Sequence, residues 1–169
     1  MEIKVKKIHP DAIIPNRNYE GDACYDLYAV EDVVITGSET KKVHFGIQWE
    51  LPRGFCGIVF ARSSSFAVKG LKVNTGIVDQ QYRGEIICLV NLTASTDIKA
   101  GFVPVANSYT IKKGESIAQV MFQKLPSVNI REVKKLSKTK REDKGFGSTD
   151  EFDIHSYGGH YCSAECTVS

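Results

Sequence analysis

With 169 residues, 42% of them apolar and 25% charged, the chain is long enough for one domain with a real core and too short for two of ordinary size. That balance excludes a disordered or fibrous chain, and a net charge of +2 with basic residues spread along the sequence is less than a duplex-binding protein usually carries. No apolar run reaches the length of a signal core or a membrane span, so neither nucleic acid nor membrane is expected as a partner, and the chain should stay where it is made, in a reducing cytoplasm.

Met1 to Ile8 alternates apolar and charged residues as a strand does. Thereafter short runs rich in β-branched and aromatic residues recur between Gly, Pro, Asn and Asp, the pattern of an all-β sandwich or barrel, and helical periodicity is nearly absent. Val43-His44-Phe45-Gly46-Ile47-Gln48-Trp49 alternates most cleanly, which predicts one strand with a core face and an outer face, ended by a turn at Leu51-Pro52-Arg53-Gly54. Ser63 to Lys69 is the one place a short helix fits, with Gly70 to terminate it. Ile86-Ile87-Cys88-Leu89-Val90 and Val120-Met121-Phe122 are apolar on both faces and need cover on both, from a second sheet or another subunit.

Of five cysteines, Cys24, Cys56 and Cys88 lie in apolar strand-like segments, where a free thiol behaves as a small hydrophobe. Cys162 and Cys166 accompany His155 and His160 in a polar tail without the paired spacing of a zinc site. The reading divides the chain into a β-domain (1–136) with an insertion loop (95–106), a C-terminal arm (137–150) and a polar extension (151–169).

Three segments invite chemistry. Asn74 to Glu85 reads as strand, turn, strand, a tight hairpin whose mouth exposes backbone groups able to pair with a small planar ring; Asp79 near its turn is either a turn former or a partly exposed working carboxylate. Ala61-Arg62-Ser63-Ser64-Ser65 opens the short helix, either as an anion site of hydroxyls, free N–H groups and a guanidinium, or as a plain Ser cap beside a surface Arg. Arg141-Glu142-Asp143-Lys144-Gly145-Phe146-Gly147-Ser148-Thr149 combines cations, flexible glycines, hydroxyls and one aromatic, which suits a phosphate chain and a base but equally a solvated basic loop.

In order along the chain, these segments and two others resemble the five motifs of the trimeric dUTPase family. Gly21 to Ala29 looks like the first motif, Ala61 to Ser64 the second, Gly76 to Glu85 the third, Gly114 to Val120 the fourth and Arg141 to Thr149 the fifth, so the resemblance spans roughly Ile3 to Asp150. It implies a distorted jelly-roll or β-barrel-like fold with one short helix and a C-terminal arm. Three subunits would share each site, and the fifth motif would reach across as a lid. The implied activity is Mg²⁺-dependent hydrolysis of dUTP to dUMP and pyrophosphate, which keeps uracil out of DNA and supplies dUMP for thymidylate synthesis.

Residue by residue, Asp79 matches the carboxylate that positions water for in-line attack at the α-phosphorus, and Tyr82 the ring that packs on deoxyribose and leaves no room for a 2′-hydroxyl. Backbone around Asn74, Gly76 and Ile77 would hold uracil. Arg62, Ser63, Ser64 and Gln119 match phosphate contacts, Arg141 the γ-phosphate contact, Phe146 the ring over uracil, and Gly147, Ser148 and Thr149 the rest of the phosphate-binding arm. Asp26 matches the carboxylate that supports the metal through water, the Mg²⁺ being held mainly by the substrate phosphates. The chain departs from the family pattern at Cys24, Ser64 and Asp150, which stand where Gly is usual, and at Ser116, which replaces Arg; none removes a group the chemistry requires, although Asp150 adds a negative charge near a tetra-anion.

Two other readings compete. A dCTP deaminase-like enzyme shares the fold and an Arg-Ser-Ser segment but needs a glutamate in the strand after the hairpin, and Ile86 to Val90 has none. A regulatory module on the same scaffold would engage a protein partner through 95–106 or 151–169.

Overall fold

A computed structural model describes residues 1–37, 39–92 and 108–143. The insertion at 95–106, the fifth-motif residues Phe146, Gly147, Ser148 and Thr149, and the extension at 151–169 lie outside the described residues, as do the expectations placed on them. Contacts divide the chain after Val128: Met1–Val128 forms one compact unit, and residues 129 to 143 belong to a second.

Every strand pairing in the first unit is antiparallel, which lets short runs joined by turns build sheets without crossover helices. The largest sheet has the order β2 (Tyr25–Tyr28), β11 (Ser116–Lys124), β6 (Phe55–Ala61), β8 (Gly76–Val78). A second has the order β4 (Lys41–His44), β9 (Ile87–Leu92), β7 (Leu71–Val73). Two further pairs join β1 (Lys4–Lys7) to β5 (Ile47–Glu50) and β3 (Val33–Thr36) to β10 (Ser108–Ile111). Among the described residues no sheet closes on itself, so the all-β fold is jelly-roll-like and open rather than a complete barrel.

Side chains from all these pieces meet in one core that includes Leu27, Ile35, Val43, Phe45, Ile86 and Val120. The alternation from Val43 to Trp49 does place Val43, Phe45, Ile47 and Trp49 inside, but in two strands rather than one. The break falls at Gly46, whose φ of +62 suits glycine, and where an added Cβ would stand 2.6 Å from His9 Cβ and 2.7 Å from Val30 Cγ1. Chain direction changes there, so β4 joins one sheet and β5 another while the inward periodicity persists.

The doubly apolar runs are covered unevenly, with Ile87 and Met121 half-buried on the outer faces. Cys88, Val90 and Val120 are buried, whereas Leu89 remains 40% exposed on the outer side of β9. The one helix among the described residues, α1 (Ser63–Ala67), forms where expected and ends as expected: Gly70, at φ +64, donates its N–H to the Phe66 carbonyl at 3.1 Å.

In the second unit, Thr139 and Glu142 bond reciprocally: the Thr139 N–H donates to Glu142 Oε1 at 2.8 Å and the Glu142 N–H to Thr139 Oγ1 at 3.0 Å. Arg141 sits inside that small turn.

Candidate active site

A cleft of about 320 Å³ opens at one end of the largest sheet, lined by Arg17, Asn18, Asp22, Ala23, Cys24, Asp26, Arg62, Ser63, Ser64 and Gln119. Its floor comes from three adjacent strands: β2 carries Asp26, β11 carries Gln119, and β6 runs out into Arg62 and α1. The register pairs Gln119 with Asp26 on one side and with Phe60 on the other, so neighbouring strands deliver these polar residues to one place.

A β-bulge in β11 explains how the second motif is held there. Ser116 pairs with Tyr28 and Ala118 with Leu27, leaving Ile117 as the extra residue. The carbonyls freed by this irregularity turn to the second motif: Ile117 O accepts from the buried Ser65 hydroxyl at 2.6 Å, and Ser116 O accepts from Arg62 Nη1 at 3.3 Å. Ser65 therefore anchors α1, while Ser63 and Ser64 face the cleft. Arg62 Nε lies 3.1 Å from Asp26 Oδ1, and the Gln119 side-chain amide donates to Ala61 O at 2.9 Å.

Behind the cleft, the Glu115 carboxylate accepts from Lys69 Nζ, the Tyr109 hydroxyl and the Lys112 N–H. Burial raises its pKa, but these donors outweigh that effect and hold the carboxyl below its ordinary value. Within the cleft, burial and then the Asp22 and Asp26 carboxylates push the Cys24 thiol up, so it is a neutral lining group rather than a thiolate.

The third motif departs from a hairpin with paired arms. The ladder of β7 with β9 continues to Asn74, whose N–H donates to Leu89 O at 2.9 Å, and then the chain leaves: β8 pairs with β6 in the other sheet. Gly76 is half-buried with open space where a Cβ would be, and Ile77 is 71% exposed. Divergence of the arms exposes backbone at this mouth, which a paired hairpin would have consumed.

Asp79 follows β8 and is exposed in a turn closed by the Tyr82 N–H donating to Asp79 O at 3.1 Å. Gln80 Oε1 accepts from the Gly54 N–H at 2.8 Å, and Arg83 Nη1 donates to Gln80 O at 2.8 Å. The Tyr82 hydroxyl donates to Glu85 O at 3.2 Å, folding the ring over Gly84, where any Cβ would collide with the phenol. Glu85 ties this segment to the core by accepting from the Gly46 N–H at 3.0 Å and meeting His44 Nδ1 at 2.8 Å.

The structure thus brings Asp26, Arg62, Ser63, Ser64 and Gln119 together in one cleft, and places Asn74, Gly76, Ile77, Asp79 and Tyr82 outside it. Register shows why. Val78, just before Asp79, stands opposite Gly57, whereas Arg62 follows the other end of β6; at about 3.3 Å per residue the strand between Gly57 and Arg62 spans roughly 16 Å. Arg141 belongs to the second unit. Sequence reading missed Arg17 and Asn18, which line the cleft from an irregular loop where no periodicity or motif marks them.

Among the described residues no three of His, Cys, Asp and Glu gather as a metal cluster. The cleft does bring carboxylates (Asp22, Asp26) and hydroxyls (Ser63, Ser64), hard oxygen groups that suit a hydrated Mg²⁺ carried in on phosphates.

A family model described as dUTPase matches residues 10–150. The deoxyuridine 5'-triphosphate nucleotidohydrolase of Clostridioides difficile is 41% identical over 150 residues, which cover 87% of this chain and 96% of that protein. Its counterpart in Corynebacterium efficiens is 38% identical over 150 residues, covering 87% of this chain and 77% of that protein. Among solved structures, a mutant dUTPase of Staphylococcus bacteriophage 80alpha with dUpNHpp superimposes with a TM-score of 0.77 at 26% identity, covering 88% of this chain and 98% of that one. Match length, identity and shared architecture agree, and this chain belongs to the dUTPase family.

Proposed function

We propose that the chain hydrolyses dUTP to dUMP and pyrophosphate with Mg²⁺, as a homotrimer in which the cleft of one copy meets the Asp79 turn of another. The observation that carries this reading is the separation of the two halves along β6: the phosphate-binding set lies at one end and the carboxylate that would hold water at the other, roughly 16 Å away along the strand. No side chain bridges that distance, so a complete site needs a second copy. The exposed Leu89 and Ile77 are the kind of apolar surface such an assembly would cover.

In this arrangement Arg62, Ser63, Ser64 and Gln119 hold the phosphates, with Arg62 fixed by Asp26 and by Ser116 O so that little reorganisation is needed when the anion arrives. Asp79 accepts a hydrogen bond from water and aims its lone pair at the α-phosphorus, opposite the leaving pyrophosphate; the water proton passes toward the carboxylate as the new P–O bond forms and the bond to the pyrophosphate oxygen breaks. Mg²⁺, when bound on the phosphates, shields their charge and stabilises the leaving group. Asp26 would meet it through water.

Uracil would pair with the backbone exposed where β8 departs, around Asn74, Gly76 and Ile77. Cytosine would leave buried polar groups mismatched there, a larger penalty than a missing contact. Tyr82, held over Gly84, would pack on the sugar and exclude a 2′-hydroxyl. Arg141 with Phe146, Gly147, Ser148 and Thr149 would close the site as an arm from the C-terminal side. Such an enzyme would work in the cytoplasm, or wherever nucleotides are made.

Measuring pyrophosphate release from each deoxynucleoside triphosphate with Mg²⁺ tests the proposal. The expected result is release from dUTP far above the others. Absence of dUTP hydrolysis, or abundant ammonia from dCTP, would defeat it.

A further inference from the structure

We infer that Arg17 is a further substrate-binding residue, whose guanidinium grips the triphosphate from the rim of the cleft. The inference rests on the proposed dUTP reaction and extends it to a residue outside the five motifs.

Charge balance within the cleft is the starting point. Its lining carries two guanidinium groups, Arg17 and Arg62, and two carboxylates, Asp22 and Asp26. Arg62 is already committed: Asp26 Oδ1 lies 3.1 Å from its Nε, and Ser116 O accepts from its Nη1. Asp22 is committed as well, its Oδ2 accepting the Tyr19 N–H at 3.0 Å inside the loop. Arg17 differs from both. Among the described residues it makes one hydrogen bond, from Nη1 to the neutral Asp22 carbonyl at 3.2 Å, and pairs with no carboxylate. A guanidinium has five N–H donors in a planar fork, so most of Arg17's donors remain for an incoming anion.

Its placement is supported from below. The guanidinium carbon stands 5.0 Å from the centroid of the Tyr25 ring, on whose face a cation is attracted while its edge donors stay available. Tyr25 opens β2, the strand that carries Asp26, and its ring packs on Phe122 of β11 with centroids 5.7 Å apart. A residue of an irregular loop is thereby seated on two of the three strands that form the cleft floor. For a polyanion, Arg17 is the cleft guanidinium with no carboxylate within ion-pair distance among the described residues and with most of its donors unused, whereas Arg62 is already paired with Asp26.

Arg17→Met keeps the stem that packs on Tyr25 and removes the charge; Arg17→Lys keeps the charge and loses the fork. Two measurements read the outcome: steady-state kinetics on dUTP, and calorimetric binding of pyrophosphate with Mg²⁺ and, separately, of dUMP. The expected result for Arg17→Met is a KM for dUTP raised about tenfold with kcat within about twofold, and pyrophosphate binding weakened while dUMP binding holds. Arg17→Lys should recover part of the loss. Unchanged KM and pyrophosphate affinity in Arg17→Met would overturn the inference, as would equal weakening of dUMP and pyrophosphate, which marks a general distortion of the loop. A wild-type chain that leaves dUTP intact defeats the proposed reaction instead, and pyrophosphate binding still reports on Arg17 in that case.

Discussion

The phosphate cleft and the Asp79 turn are built in opposite ways. In the cleft, each working side chain is fixed from another strand: Arg62 by Asp26 and Ser116 O, Gln119 by Ala61 O, and the helix carrying Ser63 and Ser64 by Ser65 on Ile117 O. In the turn, Asp79 is exposed: its side chain makes none of the bonds that hold the segment, which come from short-range contacts within Asp79 to Glu85 and from ties of Gln80 to Gly54 and of Glu85 to Gly46 and His44. A cleft that must hold a highly charged chain gains from donors already oriented in a rigid sheet. In the proposed assembly, the carboxylate faces substrate bound by a neighbouring copy, and for that it has to stand outside its own core. Under the proposed mechanism, the difference assigns charge recognition to the rigid half and water positioning to the exposed half.

The largest effect expected from breaking this division is in Asp79→Asn. Turnover of dUTP should fall by about 10³-fold or more while substrate affinity and melting temperature hold, since the exposed carboxylate contributes to chemistry and little to packing. Near-normal turnover would mean that another group positions the water.

Next comes the rigid half. Arg62→Ala removes a proposed phosphate donor and strands the nearly buried Asp26 carboxylate, so kcat/KM should fall about 10²-fold and stability by about 1–3 kcal/mol. Kinetics and thermal denaturation together check it. A loss in activity with unchanged stability would show that the Asp26 pair carries no structural weight, and the contrast between the halves would weaken.

Gly84→Ala probes the exposed half more gently. An added methyl displaces the Tyr82 phenol, the mobile end of a half-exposed side chain, so stability should barely move while the preference for dUTP over UTP relaxes about tenfold. Competition between the two nucleotides reads this directly; undiminished preference would separate Tyr82 from sugar selection.

The smallest effect is electrostatic. Glu115 has its carboxyl pKa lowered in the folded state, burial opposing but the Lys69, Lys112 and Tyr109 donors prevailing. A depressed folded pKa contributes stability at pH above the ordinary glutamate value, lost as pH falls through the folded value. Glu115→Gln should therefore lower the melting temperature near neutral pH by a few degrees, and the gap to wild type should close in acid. A gap independent of pH would assign the loss to packing.

Much of this was legible in the sequence because the signals are local. Short β-branched runs announce strands, Gly70 announces the end of α1, and Asp26, Arg62 and Asp79 sit in segments whose order resembles a known family. What stayed hidden depends on three-dimensional conflict. Alternation through Val43 to Trp49 looks like one strand because inward periodicity survives the break, while the reason for the break, a clash of any Cβ at Gly46 with His9 and Val30, involves residues distant in sequence. Asn74 to Glu85 reads as a paired hairpin, yet β8 finds its partner in β6, a choice made by tertiary packing. Arg17 lies in a loop without pattern, and only the register of β2 against β11 shows what it overlooks.

Mixing two defective variants tests most directly whether cleft and turn come from different copies. Asp79→Asn and Arg62→Ala chains, each nearly inactive alone, would be unfolded together in equal amounts and refolded, then assayed for pyrophosphate release from dUTP beside wild type treated in the same way. Sites that pair an intact cleft from one chain with an intact turn from the other should restore about a quarter of wild-type activity under random assembly. A mixture that stays at the level of the separate variants, while refolded wild type is active, would place both halves of the site in a single chain and contradict the account.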